Sequence, residues 1–357
     1  VFENLKASSQ RGESTLGQQS SDFFIPPAFR RILLLSARSG VPGREESDAR
    51  RVMRMASVLQ VRGWETSTLV AGSIADLEAA CDSFEPGIVF SAADHLPAGG
   101  KVSGHSAALN VHAWLDAHGI AYAGSAPAAI DLALDKAALK RRWMSEGIPT
   151  PEFSYLEAPG FAAIDLPAFP CILKPNDAGN SRGIAKKSVV RDRDGLEALI
   201  GELKHDFSRF LVERYLGFAP DFQEFTCGMT GNGPERRIMA ARILLQDPGD
   251  APIVTTEDKN SNRARAISIE DEDLKARVEA CASAAFISAG MRDYARCDLA
   301  LSDGIVYALE INGQPMVPDT WFSACVRYAG MEEDEYLMAI MKAAMKRAAD
   351  AGRPGRD

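Results

Sequence analysis

The hydrophobic pattern begins at residue 31, where Arg31 is followed by Ile32, Leu33, Leu34 and Leu35. A run this short and apolar at every position predicts a strand over residues 31–36, covered on both faces. A charged helical stretch follows at 46–62, then a strand at 65–70, a helix at 74–83 and a strand at 87–91. Strand and helix in alternation predict a small parallel sheet with helices on its faces. Residues 106–118 read as a further helix and 120–123 as a short strand.

The pattern changes near residue 150. Residues 135–145 predict a helix, which Pro149 and Pro151 on either side of Thr150 prevent from continuing. Residues 150–230 then read as strand, glycine loop, strand, helix and strand, and 235–345 as a hairpin platform with a closing helix. Within the latter, residues 295–301 and 305–311 alternate around Ser302-Asp303-Gly304, which predicts an antiparallel hairpin. Residues 247–265 are polar, contain Pro248, Gly249 and Pro252, and predict a mobile loop long enough to act as a lid. The expected organisation is a flexible arm (1–28), an N-terminal β/α lobe (29–124), a connecting helix and linker (125–150), a central lobe (151–230), a C-terminal lobe (231–348) and a tail (349–357).

Composition narrows the function. With 357 residues, 46% of them hydrophobic, the chain can bury a sizeable core. A net charge of −9 argues against nucleic acid as the main partner, which leaves small molecules. The six cysteines are far apart and form no CxxC pair, so they read as reduced core residues of a cytoplasmic protein. No apolar run is long enough to span a membrane.

The predicted hairpin brings chemistry together. Asp298, Glu310 and Asn312 fall on one face of it, with Arg296 beside them. Two carboxylates and an amide oxygen on a rigid platform suit Mg²⁺ bound to a nucleotide's phosphates. Upstream, Lys174 ends a strand and leads into a small-residue loop. There Gly179 and Gly183 allow backbone N–H groups to approach an anion, and Asn180 and Ser181 supply side-chain donors. Residues 210–217 read as a strand that leaves an apolar core and breaks at Gly217, with Glu224 opening the next strand. Neither GxxxxGK[ST] nor GxGxxG is present.

In order and spacing these stretches resemble the ATP-grasp carboxylate-amine ligases, and within them the D-alanine–D-alanine ligase group. The resemblance runs through Ile120-Ala-Tyr-Ala-Gly124-Ser125, Asp135-Lys136 with Lys140, Gly147-Ile-Pro-Thr-Pro151, Lys174-Pro175, Val212-Glu213-Arg-Tyr-Leu216, Glu224-Phe-Thr226, Arg296-Cys-Asp298 and Glu310-Ile-Asn312. It covers residues 120–345 well, and 30–119 only by their β/α alternation.

The resemblance implies a three-lobed α/β ATP-grasp fold: an N-terminal parallel sheet, a small central β/α lobe and a C-terminal mixed sheet. It also implies an ADP-forming ligase that joins a carboxylate to an amine through an acyl phosphate. Lys136 and Lys174 match the phosphate-binding lysines, and Asn180, Ser181 and Gly183 the loop over the phosphates. Glu213, Arg214 and Leu216 match the adenine hinge, and Glu224 the ribose-binding acid. Asp298, Glu310 and Asn312 match the ligands of two magnesium ions, a role manganese can also fill, and Arg296 the arginine beside the reacting carboxyl. The implied partners are small carboxylate and amine substrates, with a homodimer allowed.

The substrate side departs from the family. Its run after the metal-binding asparagine is replaced here by Asn312-Gly-Gln-Pro315-Met316-Val-Pro318-Asp319-Thr320-Trp321, with Thr320 or Trp321 near the position of the serine that holds the second substrate. Only Lys259 survives of the lid motif, as a third phosphate-binding lysine or an exposed loop lysine. Glu45 or Glu46 could hold the first substrate's amine, or serve as surface acids that open a helix. These departures point to a specialised ligase, for example for a peptide-like natural product. Housekeeping D-alanyl-D-alanine synthesis, an ester-forming ligase and a nucleotide-binding module without catalysis are the alternatives.

Overall fold

The computed structural model describes residues 24–38, 44–98, 108–157, 165–177, 183–246, 249–255, 258, 261, 263–315, 317–318 and 321–352. Asn180, Ser181, Lys259 and Thr320, most of the expected N-terminal arm and the last residues of the expected tail lie outside that set.

Strand β1 (Arg31–Ala37) is followed by helix α1 (Arg44–Val61), β2 (Glu65–Ala71), α2 (Ile74–Phe84) and β3 (Ile88–Ser91). After β4 (His95–Pro97) and β5 (Ala108–Asn110) come α3 (Val111–Ala117) and β6 (Ala121–Ala123). The first sheet is parallel, in the order β2-β1-β3-β6. Its central strand shows why an unbroken apolar run was needed. Ile32 and Leu34 enter one core while Leu33 and Leu35 enter another, because successive side chains leave opposite faces.

Two expectations differ: among the described residues, 235–345 carries three α-helices rather than one closing helix, and a helix start is displaced. The helix predicted over 106–118 begins only at Val111, because residues 108–110 pair antiparallel with 95–97. Asn110 closes that strand and caps the helix, its side chain accepting from the Ala113 N–H at 3.1 Å.

Next come α4 (Pro127–Leu134) and α5 (Lys136–Ser145), separated by Asp135, which caps α5 by accepting from Ala138 N–H. A second sheet, in the order β7-β10-β8-β9, uses β7 (Phe153–Glu157), β8 (Cys171–Pro175), β9 (Val189–Val190) and β10 (Arg209–Arg214). Helix α6 (Arg193–Leu203) closes this small core with Leu196 and Leu199.

The third sheet is antiparallel, in the order β13-β12-β11-β14-β15. Its strands are β11 (Gln223–Thr230), β12 (Arg237–Leu245), β13 (Ala264–Ile267), β14 (Tyr294–Ser302) and β15 (Ile305–Asn312). Helix α7 (Glu272–Ser288) covers one face together with Trp143 of α5. On the other face, α8 (Trp321–Tyr328) and α9 (Glu333–Asp350) share a core with β1, β3 and α1. The last helix therefore joins the first sheet to the third.

The β14–β15 hairpin turns through Asp303 and Gly304, both at positive φ (51° and 75°). That is the geometry of a tight hairpin turn whose twist matches its strands. The Asp221 carboxylate accepts from both of their N–H groups, at 2.9 and 2.8 Å.

Candidate active site

The hairpin register sets Arg296 opposite Asn312 and Asp298 opposite Glu310. A bulge follows, since Leu299 pairs with Ala308 and leaves Leu309 over. Such an irregularity re-aims side chains, and Leu309 lines the same cleft as Glu310. Arg296 donates from Nε and Nη2 to the two oxygens of Asp298, each at 3.0 Å. Thr226, directly across on β11, donates its hydroxyl to the same carboxylate at 2.8 Å. Burial works against the Arg296 charge, but Asp298 outweighs it and holds the guanidinium above its ordinary pKa.

The donors suit a hard divalent cation. Asp298 and Glu310 are cross-strand neighbours, and the Asn312 side-chain oxygen, which has two lone pairs, accepts from the Gln314 N–H at 3.0 Å. Among the described residues no three His, Cys, Asp or Glu side chains converge. An ion here would complete its shell with the Asn312 amide, water and substrate phosphates.

A second charged group lies next to the hairpin. Lys174 on β8 and Glu213 on β10 sit one diagonal step apart on one face of the second sheet, and Lys174 Nζ donates to Glu213 Oε1 at 2.7 Å. Lys140, on α5, places its Nζ 2.8 Å from the other carboxylate oxygen. Glu213 is 2% exposed and Lys140 1%. Burial would raise the Glu213 carboxyl, but the two ammonium groups outweigh it and hold it below its usual range. Burial likewise opposes the Lys174 charge, yet Glu213 keeps it above its ordinary value, whereas Lys140 is pushed down to about 8 by burial despite Glu213.

Lys136 opens α5 with its Nζ 3.9 Å from Glu310, and burial lowers its pKa against that carboxylate's pull. Asn176 sets the spacing between Lys136 and Lys174. Its side chain accepts from Ala137 N–H and donates to Asp135, both at 2.9 Å, so the residue just past the Lys174 strand grips the start of the Lys136 helix.

Between these groups opens a cleft of about 820 Å³, lined by Lys174, Glu213, Arg214, Leu216, Glu224, Asp298, Glu310 and Trp321. Ile172, Ile184, Ile243, Ile253 and Leu299 give it apolar walls. An apolar slot with cations and carboxylates at one end has the character of a nucleotide site. The Arg214 side chain turns to the Tyr307 hydroxyl at 3.1 Å. Trp321 lies under Arg296, whose guanidinium carbon is 5.8 Å from the ring centre.

Other sequence candidates fall elsewhere. Glu45 is 3.8 Å from Arg38, Glu46 is exposed, and neither lines the cleft. Gly183 has φ +74°, and a Cβ there would come within 2.7 Å of the Pro175 ring, so the backbone itself requires glycine. Part of the loop expected to be mobile is anchored. The Tyr215 hydroxyl donates to Pro252 O, Ile253 is buried in the cleft wall, and Asp258 pairs with Arg263 at 2.9 Å.

Sequence reasoning gave no role to Asn176 or Thr226, and it named Lys140 only within the resemblance. The available signals were the asparagine directly after Lys174-Pro175, the two-residue spacing of Thr226 from Glu224, and the four-residue spacing of Lys140 from Lys136.

Comparison with known proteins identifies the family and the fold. The family described as D-ala D-ala ligase C-terminus matches residues 143–342. D-alanine–D-alanine ligases from Ralstonia pickettii and Cupriavidus metallidurans are 27% and 30% identical over 235 residues, which is 64% of this chain and 69% of each relative. The crystal structure of D-alanine–D-alanine ligase from Bacillus anthracis complexed with ATP superposes with a TM-score of 0.70 at 21% identity, over 90% of this chain and all of that one.

The architecture is the ATP-grasp fold, and the similarity to these relatives makes the chain an ATP-dependent, ADP-forming ligase. The chain belongs to the D-alanine–D-alanine ligase family.

Proposed function

We propose that this ligase activates an amino-acid carboxylate as an acyl phosphate and transfers the acyl group to the amine of a second amino acid, D-alanine being the first candidate for both. The curated relatives carry that activity in their names. The observation that supports the site assignment is the apposition of the Asp298–Glu310 pair with Lys136 and Lys174 around one cleft.

In this reading, Lys136 and Lys174 hold the nucleotide's phosphates, the apolar walls take the adenine, and Glu224 takes the ribose. Asp298, Glu310 and Asn312 hold magnesium, which supplies neutralisation of phosphate charge when bound. Arg296 is protonated at any working pH, so it can stabilise the oxyanion as the amine adds to the acyl phosphate. Its present partner, Asp298, keeps it aimed along the hairpin face.

Trp321 supports a second reading. A large aromatic ring beneath Arg296 leaves a differently shaped acceptor site from one built of small residues, which favours a bulkier or less simply carboxylated amine and a specialised product. Mass spectrometry of products from ATP, Mg²⁺ and single or pooled D- and L-amino acids tests both. D-alanyl-D-alanine as the dominant product supports the first reading, a different amide supports the second, and AMP in place of ADP overturns the acyl-phosphate route.

A further inference from the structure

Glu213 connects to more than the nucleotide cleft. Lys140, its second cation, also donates from Nζ to Thr150 Oγ1 at 2.7 Å, and that hydroxyl donates to the carbonyl of Ala308 at 2.9 Å. The donor count is consistent, since the threonine oxygen accepts from the ammonium and spends its one hydrogen on the carbonyl. Ala308 N–H in turn donates to Pro149 O at 2.8 Å. Ala308 lies on β15, the edge strand of its sheet, two residues before Glu310 and at the site of the bulge. Both polar backbone groups of that residue are therefore taken by the linker Pro149-Thr150. An unbroken chain of contacts runs from Lys174 through Glu213, Lys140 and Thr150 to the strand that bears Glu310.

We propose that Lys140 and Thr150 are positioning residues that couple the nucleotide seat to the metal-binding strand. The proposal rests on the reading above of Lys174 as a phosphate ligand and of Glu310 as a metal ligand. The physical argument has two parts. A carboxylate as buried as Glu213 is costly without a cation, so the constant presence of Lys140 lets Lys174 turn toward phosphate without leaving a bare buried charge. The linker that carries Thr150 also fixes the height of β15, and with it the distance of Glu310 from Lys136 and Lys174. Phosphate binding and metal binding should then reinforce each other through this chain, as two sites that bias one element do.

Isothermal titration of ATP into the full-length protein, with and without Mg²⁺, measures that reinforcement as the gain in affinity that Mg²⁺ gives. Thr150→Val keeps the side-chain shape and removes the hydroxyl. It should leave metal-free ATP affinity within about twofold and cut the Mg²⁺-dependent gain about tenfold, near the upper end of what one hydrogen bond contributes. Thr150→Ser should restore it, and Lys140→Met should lower both the gain and the metal-free affinity. An unchanged gain in folded Thr150→Val protein overturns the proposal, as does failure of Thr150→Ser to rescue. Lys174→Met separates the premise from the inference. If it binds ATP like the unaltered protein, the phosphate reading fails. If it loses ATP while Thr150→Val keeps its full gain, the coupling alone fails. Should Lys140→Met not fold, the two threonine variants decide the matter.

Discussion

The cleft between the second and third sheets and the carboxyl-terminal edge of the first sheet are built in different ways. In the cleft, charged side chains on strands and on α5 pair with one another: Arg296 with Asp298, Lys174 and Lys140 with Glu213, and Lys136 near Glu310. At the first sheet, Glu45 and the nearby His95 lie at the ends of elements. Glu45 meets Arg38 at 3.8 Å, and His95 meets Asp131 at 3.0 Å. His112, by contrast, is buried and bonded on both ring nitrogens, with Nδ1 donating to Ser125 O at 2.7 Å and Nε2 accepting from Gln314 at 2.5 Å. The charges of the cleft are placed by strand register and by one helix, whereas those at the first sheet lie beside connections. Gln314 links the two, because its N–H holds Asn312 while its side chain meets His112.

The largest expected effect comes from removing the charge that organises the cleft. Glu213→Leu leaves Lys140 and Lys174 facing each other in a buried space, and should cost about 3–5 kcal/mol of folding stability, as breaking a buried ion pair does. Chemical denaturation measures it, and a loss below about 1 kcal/mol would show that the carboxylate does not organise the cleft, since surface pairs contribute only that much.

Glu310→Gln keeps the volume and removes the charge. The fold should survive, while metal-dependent ADP release should fall at least about a hundredfold, typical for loss of a major electrostatic group. Near-normal turnover in folded protein would remove the hairpin from the chemistry.

The first-sheet side of the comparison is read by pH. Burial holds His112 down at about 4, against 6.5 for a free imidazole. Between those values the unfolded imidazole binds a proton that the folded one does not, so the contribution of His112 should fall as pH falls from about 6.5 toward 4, with a slope of up to about 1.4 kcal/mol per pH unit, opposed by Asp94, whose carboxyl burial pushes up to about 7. Denaturation series at several pH values, with His112→Gln as reference, check the sign. An equal slope in the variant would assign the acid sensitivity to other groups.

Trp321→Ala should have the smallest effect. Loss of its contact with Arg296 corresponds to about 0.5–1 kcal/mol, a few-fold in turnover, and the order of preferred acceptors should change more than the rate for any one of them. Because Trp321 also lines the cleft, the Michaelis constant for ATP should be followed in parallel. A variant with weakened ATP binding and unchanged acceptor order would place this ring on the nucleotide side of the site.

Local pattern was enough to read much of this protein. The β/α alternation predicted the parallel sheet, and Asp303-Gly304 between alternating runs predicted the hairpin. Period 2 across a three-residue Ser302-Asp303-Gly304 turn placed Arg296, Asp298, Glu310 and Asn312 together, but Ser302 already pairs with Ile305, and it is the bulge at Leu309 that brings Glu310 opposite Asp298. The helix expected over 106–118 failed because pairing of 108–110 with 95–97 is a contact between distant segments, to which helical periodicity is blind. The partners of Glu213 were hidden for a similar reason. Lys140 and Lys174 approach it from a helix and a neighbouring strand, and no spacing along the chain encodes that meeting. Sequence alone determined which residues carry charge and, where no bulge intervenes, which face of its own element each one takes. The tertiary structure decided which charges neutralise one another, because burial makes an unpaired ion costly and only packing fixes which oppositely charged group is within reach.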